Sequence, residues 1–138
     1  MDRQRDLERV CETFGLLAVY LFGSRADDGL RLLQGEEVSR EGSDLDIGVV
    51  FRHSSPDFHR LSTLQVQFED LFHPLRVDVV PLQRVDALFQ FSAIDGHRIA
   101  ATDPFAADSY ELWVMNRAEE LLPIQRQIEI DRFGVSTT

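Results

Sequence analysis

Cysteine is nearly absent from this chain. Cys11 is the only one in 138 residues, which excludes an intramolecular disulfide; its place among Leu7, Val10 and Phe14 suggests a small core residue. The stretch from Met1 to Glu8 lacks the apolar centre of a signal peptide. The longest apolar run, between Gly15 and Gly23, is too short to cross a bilayer. Both points lead to the expectation of a cytoplasmic protein with no membrane partner. Positive charge is also scarce: 14 basic against 24 acidic residues leave a formal charge of −10. That balance opposes non-specific nucleic-acid binding and attraction to anionic lipid. It permits a cationic substrate or a basic protein partner without specifying either. No internal repeat, low-complexity tract or Pro/Ser-rich linker interrupts the chain.

What is present suits one domain, residues 1–138, with a real core: 43% of residues are hydrophobic and ten are Phe. Apolar residues at helical spacing predict helices over 2–14, 56–72 and 84–92. On the 56–72 helix the apolar face is Phe58, Leu61, Leu64, Phe68 and Leu71–Phe72. Short apolar or β-branched runs predict strands over 16–22, 44–51, 75–80 and 97–101. Residues 27–43 carry Gly29, Gly35, Gly42 and many charges, and read as a helix end followed by a polar, mobile loop. A last helical segment spans 104–132, bent or broken at Pro123. Strands interleaved with helices predict an α/β (α+β) domain with a small mixed sheet.

Three aspartates stand out against that background. Asp44 and Asp46, in Gly42-Ser43-Asp44-Leu45-Asp46-Ile47-Gly48-Val49-Val50, and Asp78, in Arg76-Val77-Asp78-Val79-Val80, lie inside strand-like apolar runs. Asp is disfavoured in strands, and a buried carboxylate is costly unless a cation or donor meets it. Strand alternation puts Asp44 and Asp46 on one face, roughly 7 Å apart. Leu45, Ile47, Val49 and Phe51 then point the other way, into a core. Clustered carboxylates repel, so a divalent metal site is the economical explanation. Upstream, Gly23-Ser24 sits where a strand hands over to a helix. Gly lets backbone approach a ligand closely, and amides opening a helix aim at anions. Mg²⁺ takes hard oxygen ligands and often binds through a few carboxylates plus substrate phosphates. Two such ions can stabilise the attacking and leaving oxygens of an in-line displacement.

Leu21-Phe22-Gly23-Ser24-Arg25-Ala26, Ser43-Asp44-Leu45-Asp46-Ile47-Gly48-Val49 and Val77-Asp78-Val79-Val80 together resemble the polymerase-β-type nucleotidyltransferase superfamily. More narrowly, the chain resembles the minimal nucleotidyltransferases (MNT) that act as antitoxins beside HEPN-domain toxins. The resemblance implies the polymerase-β-like nucleotidyltransferase fold, with a small mixed sheet flanked by helices. It implies that Gly23 and Ser24 hold the triphosphate of ATP, with Arg25 in support. Asp44 and Asp46 then bind two Mg²⁺ ions, with Asp78 as third ligand and proton acceptor. The implied reaction is AMP transfer to a tyrosine hydroxyl of a partner HEPN toxin (AMPylation). Two other functions stay open: an antitoxin that neutralises by binding with its site idle, and a small-molecule enzyme of aminoglycoside type. Nineteen residues separate Ser24 from Asp44, more than is usual in the family, which bears on the acceptor more than on the chemistry.

Other residues carry less. His53, His59, His73 and His97 show no metal-ligand spacing. Tyr110, Trp113, Met115, Leu121, Leu122 and Ile124 form either an interaction face or a packing stripe. Ser136-Thr137-Thr138 reads as a frayed tail.

Overall fold

Aspartate, so conspicuous in the strands, also starts most of the helices. Asp2, Asp57, Asp86 and Asp103 accept the backbone N–H groups of Arg5, Arg60, Phe89 and Ala106 at 2.8–3.1 Å, satisfying first-turn amides that have no intrahelical acceptor. The computed structural model describes residues 2–53 and 56–133. Its elements run α1 (Arg3–Phe14), β1 (Leu16–Phe22), α2 (Ala26–Leu33), β2 (Leu45–Phe51), α3 (Phe58–Leu71), β3 (Val77–Pro81), α4 (Ala87–Ile94), β4 (His97–Ala101) and α5 (Pro104–Phe133). Gly15, at φ 65°, adopts the left-handed conformation that ends α1 and turns the chain into β1.

The four strands form one sheet in the order β3-β2-β1-β4. β1 runs antiparallel to both β2 and β4, whereas β3 returns parallel to β2 through the α3 crossover. This is the mixed α/β sheet expected. Leu45, Ile47, Val49 and Phe51 face a core shared with Leu7, Phe14, Leu64 and Phe68, under α1, α2 and α3. Ala18, Tyr20, Phe22 and Val50 face a smaller core with Ala93, Ala107 and Val114, under α4 and α5. On that side the Tyr20 hydroxyl donates to Glu111 at 2.8 Å, and Arg98 of β4 bonds Glu111 and Asp108, each at 2.7 Å. These bonds tie α5 to the sheet.

Several expectations need adjustment. Gly29 does not break the chain; it lies inside α2, where a Cβ would press on Leu21 and Leu45 side chains at 2.9 Å. Its missing side chain lets an eight-residue helix lie close on the sheet. The helix end expected at the start of 27–43 is α2, which takes seven of the seventeen residues, with Leu32 and Leu33 buried. The third helix begins near its expected place, but Phe58 is 84% exposed and does not join the face made by Leu64, Phe68 and Leu71. It follows the Asp57 cap, where the helix has not yet reached the core. The fourth helix starts three residues late, after a 3₁₀ turn at Leu82–Arg84. α5 continues through Pro123 without a break; only the Glu119 carbonyl loses its amide partner, a cost a long exposed helix tolerates. Its buried face is Ala107, Val114 and Ala118, while Trp113, Met115, Leu122 and Ile124 are exposed. The Tyr110 hydroxyl donates to Gln90 at 2.6 Å. That apolar stripe thus points largely away from the sheet. Ser136–Thr138 lie outside the described residues. Among those residues no helix is long and apolar enough to cross a membrane.

Candidate active site

Strand register brings the first pair of acids together. In the parallel β2–β3 ladder Asp46 lies directly opposite Asp78, as Leu45 lies opposite Val77 and Ile47 opposite Val79. Register partners share a face, so both carboxylates stand on the α4/α5 side of the sheet, one strand spacing apart. Asp44 precedes β2 by one residue and shares their parity. The three acids occupy the end of the sheet where β2 begins, before Gly48, which Leu82 covers. Asp46 is half-buried, whereas Asp44 and Asp78 are exposed.

The electrostatics follow from that placement. Burial pushes the Asp46 carboxyl above its usual value, and the charges of Asp78 and then Asp44 push it further. Both desolvation and like charge disfavour the carboxylate form. Part of the desolvation is apolar cover: Phe22 is the cross-strand partner of Asp46 on β1, and Phe89 stands edge-on against Phe22 with centroids 5.7 Å apart.

Gly23 meets the same carboxylate. At φ 77° it occupies a left-handed conformation, and a Cβ there would overlap Asp46 Oδ2. The glycine of the Gly23-Ser24 turn is thus needed both for the turn and for the space beside Asp46. The Ser24 hydroxyl lies 2.8 Å from that of Ser43, so the turn is joined to the residue before Asp44. α2 starts here from Arg25, without a side-chain cap.

Arg25 was expected beside the phosphates. Its side chain is instead buried and bonded to Asp28 and to the carbonyls of Ser39, Glu41 and Ser43. Three further residues belong to the site's scaffold. Arg76 places Nε 3.3 Å from Asp44 Oδ1 and donates to the Gly42 carbonyl at 3.3 Å. Gln65 of α3 donates to the Val77 carbonyl at 2.7 Å and accepts from the Val79 N–H at 3.1 Å. Its amide takes the place of a neighbouring strand on the outer edge of β3 and brackets Asp78. Ser43 and Arg76 were legible as parts of the motifs that hold the aspartates. Gln65 gave no signal, because its partners are backbone atoms 12 and 14 residues away.

Among the described residues no group of three or more Asp, Glu, His or Cys side chains is placed to hold a metal ion on its own. Mg²⁺ sites that also take substrate phosphates are open ones, using one or two carboxylates, waters and the phosphates themselves. An open acidic end, with a carboxyl held above its usual pKa by burial and then by the charges beside it, fits that kind of ion. A hollow of about 440 Å³ between α1 and α3, lined by Asp6, Arg9, Thr13, Thr63 and Gln67, lies on the other side of the sheet and carries no such chemistry.

Solved structures with the same fold come from toxin–antitoxin complexes. One is a mutant of the pair MntA–HpeT, with a TM-score of 0.69 at 16% identity over 96% of this chain and 98% of that one. A second is a toxin–antitoxin with AMP-PNP, with a TM-score of 0.68 at 18% identity and the same coverage. A third is a tri-AMPylated HEPN toxin of Shewanella oneidensis in complex with its MNT antitoxin; the TM-score is 0.66 at 18% identity, over 96% of this chain and 97% of that one. At such identities the likeness is one of fold. No curated protein matches the chain by sequence. The sequence profile of the family described as polymerase beta, nucleotidyltransferase matches residues 6–105, the span from α1 into the first turn of α5 that contains every element of the acidic site. The chain therefore belongs to the polymerase β nucleotidyltransferase family.

Proposed function

We propose that this nucleotidyltransferase is a Mg²⁺-dependent, cytoplasmic antitoxin that transfers AMP from ATP to a tyrosine hydroxyl of a HEPN-domain toxin. The observation that carries the reading is the convergence on Asp46: Asp78 opposite it in register, Asp44 coupled to it, and Gly23 against its carboxylate. A purely structural strand end has no use for three mutually repelling acids. The AMP-PNP and AMPylated-toxin complexes among the fold neighbours support the choice of nucleotide and acceptor.

In this mechanism the acceptor oxygen bonds to the α-phosphorus as the bond to the bridging oxygen breaks, and pyrophosphate leaves in line with the attack. Asp44 and Asp46 would hold the metal, with Asp78 as third ligand. Mg²⁺ supplies charge neutralisation on the triphosphate and Lewis-acid polarisation. Gly23 and Ser24 present backbone amides and a hydroxyl to the phosphates. An Asp78 carboxylate oxygen accepts the proton of the acceptor hydroxyl. Burial first, and then the charges of Asp78 and Asp44, raise the affinity of Asp46 for a proton; a bound cation would relieve the part that comes from repulsion.

The test is incubation of the protein with Mg²⁺, ATP labelled at the α-phosphate and a HEPN-domain partner. Label on a partner tyrosine, abolished by Asp44→Asn or Asp46→Asn, is the expected result. Neutralisation of the toxin that persists unlabelled in those variants would instead make the protein a binding antitoxin. Label on an aminoglycoside alone would make it a small-molecule enzyme.

A further inference from the structure

Building on the nucleotidyltransferase reading, we propose that Arg25 is a positioning residue. It clamps the loop of residues 34–43 onto the site and so sets the peptide that carries Asp44, without touching phosphate itself. Arg25 is only 8% exposed. Its Nε donates to Asp28 at 2.8 Å, Nη1 to the carbonyls of Glu41 at 3.0 Å and Ser43 at 3.2 Å, and Nη2 to that of Ser39 at 2.5 Å. Three alternate carbonyls of one loop thus converge on one planar cation, an arrangement a rigid fork of N–H donors can serve and a lysine ammonium cannot.

The loop itself is shaped for this cation. Gly42, at φ 123°, is where the backbone passes the guanidinium, and a Cβ there would come within 2.9 Å of Nη1. From outside, Arg76 takes the Gly42 carbonyl at 3.3 Å. The last carbonyl braced from inside belongs to Ser43, whose hydroxyl meets Ser24 and whose next neighbour is Asp44. One buried side chain therefore links the start of α2, the Gly23-Ser24 turn and the first carboxylate. This also accounts for how a long insertion survives between the two halves of the motif. An irregular loop must recover its closure entropy, and here the bonds that offset it are made at the metal-binding end.

The experiment compares wild type with Arg25→Met, Arg25→Lys and Gly42→Ala in two measurements: the rate of tryptic cleavage after Arg40, an exposed residue of this loop, and the affinity for Mg²⁺–AMP-PNP by calorimetry. Arg25→Met and Gly42→Ala are expected to speed cleavage at Arg40 by roughly tenfold, relative to sites elsewhere, and to weaken Mg²⁺–AMP-PNP by roughly 10–100-fold, the usual cost of losing a residue that orients a ligand. Arg25→Lys should fall between. Weaker AMP-PNP binding with unchanged loop cleavage in Arg25→Met would make Arg25 a phosphate ligand and overturn the proposal, as would no change in either measurement. Should Arg25→Met fail to fold, Arg25→Lys decides, because it keeps the charge and removes only the fork of donors; Gly42→Ala also strains the backbone at φ 123° and serves as a second probe of the loop. Failure of wild type to bind Mg²⁺–AMP-PNP would instead refute the nucleotidyltransferase reading, and the cleavage comparison would still decide whether Arg25 is the clamp.

Discussion

Replacing Asp78 by Asn should stabilise the metal-free protein while disabling the enzyme. Asp78 and Asp46 are register partners on adjacent strands, so their charges lie about one strand spacing, roughly 5 Å, apart. Coulomb's law gives about 0.8 kcal/mol of repulsion at the dielectric of water and about 3 kcal/mol at an effective constant of 20. Asp78 is exposed and Asp46 only half-buried, which favours the lower end, about 0.5–1 kcal/mol. For a domain of this size that corresponds to roughly 2–5 °C in Tm. The pH dependence carries a definite sign. Burial, then Asp78, then Asp44 raise Asp46 above its ordinary 3.8, so the folded protein binds this proton more tightly than the unfolded chain does. Its contribution to stability is fully present below about 3.8 and is lost as pH rises through the raised value. Asp78→Asn should shrink that loss. The assay is thermal unfolding in chelator and in excess Mg²⁺, at pH 4 and pH 7. In chelator at pH 7 the variant should melt above wild type. In Mg²⁺ the order should reverse, because only wild type gains the full linkage stabilisation from the bound ion. A variant less stable than wild type in chelator would refute the electrostatic reasoning.

Three further outcomes are expected. Gly23→Ala should cost roughly 1–3 kcal/mol by forcing a side chain into a left-handed conformation, and should abolish nucleotide transfer because the new methyl overlaps Asp46 Oδ2; unfolding and transfer assays check both. Gln65→Leu leaves the Val77 carbonyl and Val79 N–H without their amide partner, so about 1–3 kcal/mol of stability should be lost, with faster hydrogen exchange at Val79. Cys11 is buried and its thiol is pushed up to about 11 by that burial; a thiol reagent at pH 8 should modify native protein far more slowly than unfolded protein.

Much of this molecule was legible because its signals are local. The aspartates announced themselves by breaking β-branched runs, and alternation alone put Leu45, Ile47, Val49 and Phe51 on the opposite face from Asp46. Strand ends at Leu16, Phe22, His97 and Ala101 also fell where the apolar runs stop. What escaped depended on partners distant in sequence. Why a glycine stands at position 29 inside that helix end shows only once Leu21 and Leu45 are known to lie beneath it. Phe58 has helical spacing but no core above it. Arg25 reads as a supporting residue for phosphate because its neighbours are Gly23 and Ser24; the Ser39 and Ser43 carbonyls it bonds lie 14 and 18 residues further on. Register between β2 and β3, which sets Asp78 beside Asp46, is a tertiary fact that the two motifs only imply.

The most direct test is to crystallise the protein with Mn²⁺ and AMP-PNP and locate the metal by its anomalous scattering. Expected are Mn²⁺ peaks within coordination distance of Asp44, Asp46 and Asp78, with the triphosphate against Gly23 and Ser24. Nucleotide bound elsewhere, or metal that ignores Asp46, would contradict the assignment of this acidic end as the catalytic centre.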